Sequence, residues 1–238
     1  MEGGGRRRSR TAEWPRGAPR EHSLFYRTAA AADEQQSDGR ALKSYDRAYF
    51  DRWYRHPTHR VQTVDGLGRK VRMAIGIAEY LLGRPVQNVL DIGCGEGAWF
   101  PVVRKLRPRA RYIGLDPSPY VLRRFGRRRN VRYGSLADLS AFRLVRRVDL
   151  VVCSDVLQYV ETDEVERGLS AIRQIVGGVA YVEAFATEDG MEGDRDGWRD
   201  RPAAWYRRMF RRAGLVQCGP YCYVDPEKFD NLNSLEHM

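Results

Sequence analysis

No run in this 238-residue sequence approaches the ~18 apolar residues of a membrane span, so helical integral membrane proteins are set aside first. The four cysteines, Cys94, Cys153, Cys218 and Cys222, are too few and too scattered for a disulfide framework and read as reduced thiols. Cys218 and Cys222 have no second pair with which to hold zinc. Histidine is also scarce, and the one close pair, His56 and His59, is separated by Pro57, which disfavours a helical i, i+3 ligand pair. No metal site is expected, although either histidine could act as a general base. Lysine is nearly missing: four of the 41 basic residues, leaving 37 arginines to carry the formal net charge of +10. A skew in base composition produces the same bias, so the charge alone is a weak argument for a nucleic acid partner. The opening residues are basic but have no apolar h-region, and the expected location is the cytoplasm.

The most informative stretch is NVLDIGCGEGA, residues 88–98. It begins as an apolar strand, sets Asp91 at the strand's end, and continues with Gly93, Gly95 and Gly97. Glycines at alternate positions let the chain turn sharply and let a ligand approach the backbone. The string also fits a dinucleotide loop, but Asp91 would then add repulsion beside a pyrophosphate. The charge favours a cationic, nucleotide-like ligand. A second strand, ARYIGLDP, ends in Asp116, 25 positions after Asp91, which leaves room for one helix between two parallel strands. S-adenosylmethionine, with its ammonium, sulfonium and ribose, matches acids at both strand ends.

On these residues the sequence resembles the class I S-adenosylmethionine-dependent methyltransferases. The resemblance covers about residues 44–225 and implies an α/β fold: a seven-stranded, mostly parallel, doubly wound sheet with a C-terminal antiparallel hairpin and helices on both faces. It implies S-adenosyl-L-methionine as cofactor, S-adenosyl-L-homocysteine as product, and a cofactor site at Asp91, Gly93, Cys94, Gly95, Asp116 and Pro117. Ser135 stands where the family often has an adenine-binding acid, so adenine recognition falls to its hydroxyl or to the Leu136 backbone. Residues 148–160, VDLVVCSDVLQYV, resemble the family's fourth motif, which places Ser154 and Asp155 near the donor methyl and the acceptor. The motif lacks the Pro-Pro-aromatic signature of amino-methylating nucleic acid enzymes.

Outside that core, residues 1–43 show no sustained periodicity, and in 1–40 eight basic residues against six acidic leave only +2, so this part reads as a disordered tail. From Ser44, an expected N-cap, SYDRAYFDRWYR spaces Tyr45, Tyr49 and Trp53 for one face of a helix, a lid whose Tyr49 would reach the methyl group. Residues 69–82 predict a helix with Val71, Ile75, Ala78 and Leu82 inward. Residues 161–176 predict another, ended by Gly177 and Gly178. Glu183 sits in the apolar strand VAYVEAF, and with Tyr49 and His56 completes the candidates for general base. The acids of residues 187–200 would suit an amine-bearing small-molecule acceptor. Eleven basic side chains within 101–132, five of them Arg123, Arg124, Arg127, Arg128 and Arg129, keep an RNA methyltransferase as the alternative. A nicotinamide-dependent oxidoreductase on a related fold is a further alternative. Residues 226–238 read as a loose tail.

Overall fold

Short apolar runs alternate with amphipathic helices along the chain, and that alternation builds a layered α/β fold. The computed structural model describes residues 25–27, 45–56, 63–144, 147–190, 193–230, 232–234 and 236–237. Phe25–Arg27 (β1) pairs antiparallel with Phe142–Leu144 (β5) in a separate two-stranded ribbon. The rest of the expected tail 1–43, together with Ser44 and His59, lies outside the described residues.

The main sheet comprises Asn88–Ile92 (β2), Arg111–Leu115 (β3), Val131–Arg132 (β4), Val148–Ser154 (β6), Val176–Glu183 (β7), Val216–Gly219 (β8) and Cys222–Val224 (β9). Their order is β4-β3-β2-β6-β7-β9-β8. The first five are parallel, and β9 enters antiparallel between β7 and β8. This is the expected seven-stranded sheet with its C-terminal hairpin. Alternation along the strands sends Val89, Leu150, Val152 and Tyr181 to one face, against Val64–Leu82 (α2) and Trp99–Leu106 (α3). Leu90, Ile92, Val151 and Val182 pack on the other face against Thr162–Ile175 (α5) and Ala203–Arg212 (α6). Each such side chain contributes about 1.5–3 kcal/mol of burial, so the strand ends that carry the site are firmly held.

Local sequence explains most boundaries. Helix α2 starts earlier than periodicity predicts, because Thr63 accepts a hydrogen bond from the Gly66 N–H at 3.0 Å, and it stops at Gly83 in the left-handed region. Leu82 is only half-buried there, whereas Val71, Ile75 and Ala78 are fully inside. Pro119–Arg129 (α4) is capped by Ser118 and closed by Asn130.

Three expectations need correction. Gly177 and Gly178 do not terminate α5: the helix passes directly into β7, and both glycines belong to the strand. A Cβ on Gly178 would lie 2.2 Å from the Asp149 carbonyl oxygen, so the glycine is there for close approach to the neighbouring strand. The lid is not one regular helix. Asp46 caps Arg47–Phe50 (α1), and Asp51–Arg55 then widens into a π-helical turn closed by His56 N–H donating to Asp51 O at 3.0 Å. After Pro226, finally, Phe229 and Leu232 pack against the α2–α3 side of the core, which ties down a segment read as loose.

Candidate functional site

The carboxyl ends of β2, β3, β4 and β6 open on one side of the sheet, where a cavity of ≈ 220 Å³ forms beneath the lid. Its floor is the glycine loop. Gly93 and Gly95 adopt positive φ (65° and 53°), a backbone conformation that residues with a side chain rarely adopt. A Cβ on Gly93 would come within 2.5 Å of Val156, and one on Gly95 within 3.2 Å of the Phe50 ring. The lid thus rests directly on the loop, and Tyr45, Tyr49, Phe50 and Tyr54 line the cavity above it. The π-turn decides which aromatics do so: Tyr54 lines the cavity, while Trp53, expected on that face, stacks with Arg52. Burial pushes the Tyr45 hydroxyl up to about 12 and the Tyr49 and Tyr54 hydroxyls higher still, so all three are neutral phenols.

Asp91 is 2% exposed and accepts a hydrogen bond from the Tyr112 hydroxyl at 2.5 Å. Burial pushes its carboxyl up to about 7, against the pull of the Tyr112 bond and with a smaller push from Asp116. Asp116 accepts from the Gly95 N–H at 2.8 Å and the Ser118 N–H at 2.9 Å, fastening the second strand end to the loop. Its carboxyl is also raised, by burial. Cys94 lines the smaller cavity described below; its N–H donates to Leu115 O at 3.0 Å, and its sulfur occupies the space that Gly114 leaves empty. Pro117, Ser135 and Leu136 line the cavity with Asp116, but the Ser135 hydroxyl donates to Asp138 at 2.8 Å. Asp138, which the sequence reading passed over, therefore orients the turn at the end of β4.

A second, smaller cavity of ≈ 70 Å³ adjoins the first, lined by Asp91, Trp99, Lys70, Ser154 and Glu183 among others. Glu183, at the end of β7, accepts from Lys70 Nζ at 2.6 Å and from the Ser154 hydroxyl at 2.7 Å. Lys70 also escaped the sequence reading; 113 positions separate it from its partner, and no local pattern signals such a pair. Asp155 lines both cavities. It has φ of 63°, unusual for a residue other than glycine, and its N–H donates to Glu183 O at 2.9 Å. The Gln158 amide donates to its carboxylate, and burial above all pushes that carboxyl up to about 7. His56 is exposed at the end of the lid and lines neither cavity. All four cysteines are free thiols.

Among the described residues lining the larger cavity there is no Lys, Arg or His, whereas Asp116, Asp155 and Glu164 are present. For a chain of net charge +10 this is a local inversion of sign, an arrangement that can receive a cation. Most of the arginine cluster lies elsewhere: α4 starts just after Asp116 and Pro117, which line the cavity, and Arg127, Arg128 and Arg129 fall in its last turn, about 15 Å along the axis. Arg129 lies over the Phe125 ring and donates to the Glu96 carbonyl at 2.7 Å, bracing the glycine loop from behind.

Comparison with known proteins agrees with this geometry. A family model described as "Methyltransferase domain" matches residues 90–177. The fold is similar to that of a SAM-dependent methyltransferase from Archaeoglobus fulgidus (TM-score 0.53, 15% identity, 65% of this chain and 71% of that one). It is likewise similar to DesVI of Streptomyces venezuelae (0.50, 21%, 66% and 94%). A third likeness is to the plantazolicin methyltransferase BpumL, solved with a pentazolic desmethylPZN analog and SAH (0.54, 12%, 69% and 72%). No curated protein matches in sequence. The expected seven-stranded sheet with its C-terminal hairpin is borne out, and the matched methyltransferase domain falls inside the expected residues 44–225.

Proposed function

We propose, for a chain that carries a methyltransferase domain on the fold of the S-adenosylmethionine-dependent methyltransferases, that it moves a methyl group to an oxygen or nitrogen of a small-molecule acceptor. The observation that carries this reading is the cavity at the strand ends, walled by the lid aromatics and lined, among the described residues, by acids without a basic side chain. A roofed chamber of that kind suits a small acceptor better than a polymer, and its acids suit one that bears an amine. The catalytic unit is residues 44–225.

The cofactor supplies a methyl group on a positively charged sulfur. Asp116, with Pro117, Ser135 and Leu136, holds the adenosine side, the acid facing the ribose. The smaller cavity would take the amino acid end, with Asp91 as partner of the ammonium, while Lys70, which lines the same cavity, stays paired with Glu183. Tyr49 and Tyr54 present aromatic faces near the sulfonium, an attraction of about 0.5–2 kcal/mol. Transfer is an in-line displacement, and the chain contributes chiefly alignment and exclusion of water. The arginines at the far end of α4 take no part in it.

Calorimetric titration with S-adenosylhomocysteine and, separately, NAD tests the reading. Saturable binding of the former alone, weakened by Asp91→Ala and by Asp116→Ala, is the expected result. Binding of NAD alone would return the glycine loop to the dinucleotide class. Methyl-labelled donor offered with a panel of small amines and phenols then identifies the acceptor group, and label appearing only in RNA would overturn the small-molecule assignment.

A further inference from the structure

The sequence suggested Tyr49, Glu183 and His56 as bases, and the geometry weighs against each. The Tyr49 hydroxyl is held neutral by burial, Glu183 is occupied by Lys70 and Ser154, and His56 lines neither cavity. Asp155 has the position they lack. The donor's sulfur joins its adenosine to its amino acid end, so it must sit where the two cavities meet. Among the described residues only Tyr54, Gly93, Gly95 and Asp155 line both, and Asp155 is the one carboxylate among them.

We infer that Asp155 is the general base of the transfer, with Gln158 as the positioning residue that aims it. The inference rests on the methyltransferase reading above. In the step it describes, the acceptor's O–H or N–H atom donates an electron pair to the methyl carbon, and the new bond forms as the carbon–sulfur bond breaks toward sulfur. The acceptor's proton passes to a carboxylate oxygen of Asp155. Three features of the chain prepare that oxygen. The positive φ at the end of β6 sets Asp155 apart from the strand, so its carboxylate borders both cavities. Gln158, fully buried, donates its amide to Oδ1. The groups acting on the carboxylate are Glu183 from β7, Lys70 from α2 and Asp194 from the acidic loop, while Tyr45, Tyr54 and Tyr159 respond to its charge. Burial leaves this acid titrating at about 7, where a base can both accept a proton and release it between turnovers.

Sinefungin, in which an amine-bearing carbon replaces the methyl-bearing sulfur, tests the placement without any acceptor, because its ammonium marks the direction of the methyl group. We compare its calorimetric affinity with that of S-adenosylhomocysteine for the full chain and for Asp155→Asn. Asparagine tolerates the left-handed conformation, so the variant should fold. The wild type should prefer sinefungin by about tenfold at pH ~8, and the preference should fade as pH falls below ~7 and the carboxylate is protonated. Asp155→Asn should lose the preference at every pH while keeping its affinity for S-adenosylhomocysteine within about threefold. A preference that survives in Asp155→Asn, or that ignores pH through that range, overturns the assignment of the base. A wild type that binds neither compound overturns the methyltransferase reading itself.

Discussion

Apart from Glu183, which pairs with Lys70 at the open end, the two ends of the parallel sheet treat their buried acids in opposite ways. At the end where β6 begins, Asp149 is 3% exposed and receives Arg84 through two bonds of 2.9 Å, plus the Gln87 N–H at 2.7 Å. Glu79 pairs with Arg107 nearby, and Asp225 with Arg173 and Lys228. At the end where β6 stops, Asp91, Asp116 and Asp155 are held by a phenol, two backbone N–H groups and an amide, and no Arg or Lys among the described residues pairs with them. The pKa directions follow: Arg107 holds Glu79 low, and Asp225 is low against the opposing effect of its burial, whereas Asp91, Asp116 and Asp155 are raised. One end is neutralised by the protein itself. The other leaves three acids without a cation beside them among the described residues, a cost in stability that is characteristic of a binding site.

Breaking one acid's arrangement at each end should separate stability from binding. Arg84→Ala strands a buried carboxylate and should cost about 2–3 kcal/mol in denaturant unfolding, below the 3–5 of a fully buried pair because Arg84 is 41% exposed. Cofactor affinity should not change. Asp91→Asn should reverse the pattern, weakening S-adenosylhomocysteine binding roughly 10- to 100-fold in calorimetry without lowering the melting temperature at neutral pH. A loss of stability in Asp91→Asn would remove the distinction between the ends.

A pH series sharpens the same contrast. Asp91 and Asp155 keep their protons to about pH 7 when folded and lose them lower when unfolded. Their contribution to stability is therefore full below the ordinary carboxylate range and declines as pH rises through about 7. Asp225 and Glu79, lowered on folding, contribute above the ordinary range and lose that contribution as pH falls through their folded values. Saturating S-adenosylhomocysteine should offset the decline toward neutral pH and leave the acid-side loss in place, and its affinity should rise with pH to a plateau above about 7. Affinity that falls over this interval would exclude Asp91 as the ammonium's partner.

A smaller effect is expected in the lid. Tyr49→Ala should weaken S-adenosylmethionine binding about three- to tenfold more than that of S-adenosylhomocysteine, which lacks the sulfonium charge, and Tyr49→Phe should stay near wild type. Equal losses for the two ligands would make Tyr49 a packing residue. Smallest of all, Arg123→Gln and Arg127→Gln, exposed on α4, should stay within about 0.5 kcal/mol in stability and leave cofactor affinity unchanged.

The difference between the ends was only partly visible in the sequence. Asp91, the three glycines and Asp116 were legible because each depends on its immediate neighbours: an apolar strand, a turn that needs positive φ, and a spacing that admits one helix. The lid was legible as an aromatic segment but not in its detail. A π-turn changes the residues per turn, and so Tyr54 took the place expected of Trp53. Gly177 and Gly178 looked like helix terminators because the contact that requires them comes from β6.

The sequence by itself determined the order of strands and helices, the loop that opens toward a ligand, and the two acids at its edges, since hydrophobic periodicity and backbone conformation are local properties. Only the tertiary structure decided which charges meet. It brought Lys70 to Glu183 and Arg84 to Asp149. Those pairings follow from strand order and helix packing, and at the open end they leave three acids with raised pKa lining the two adjoining cavities.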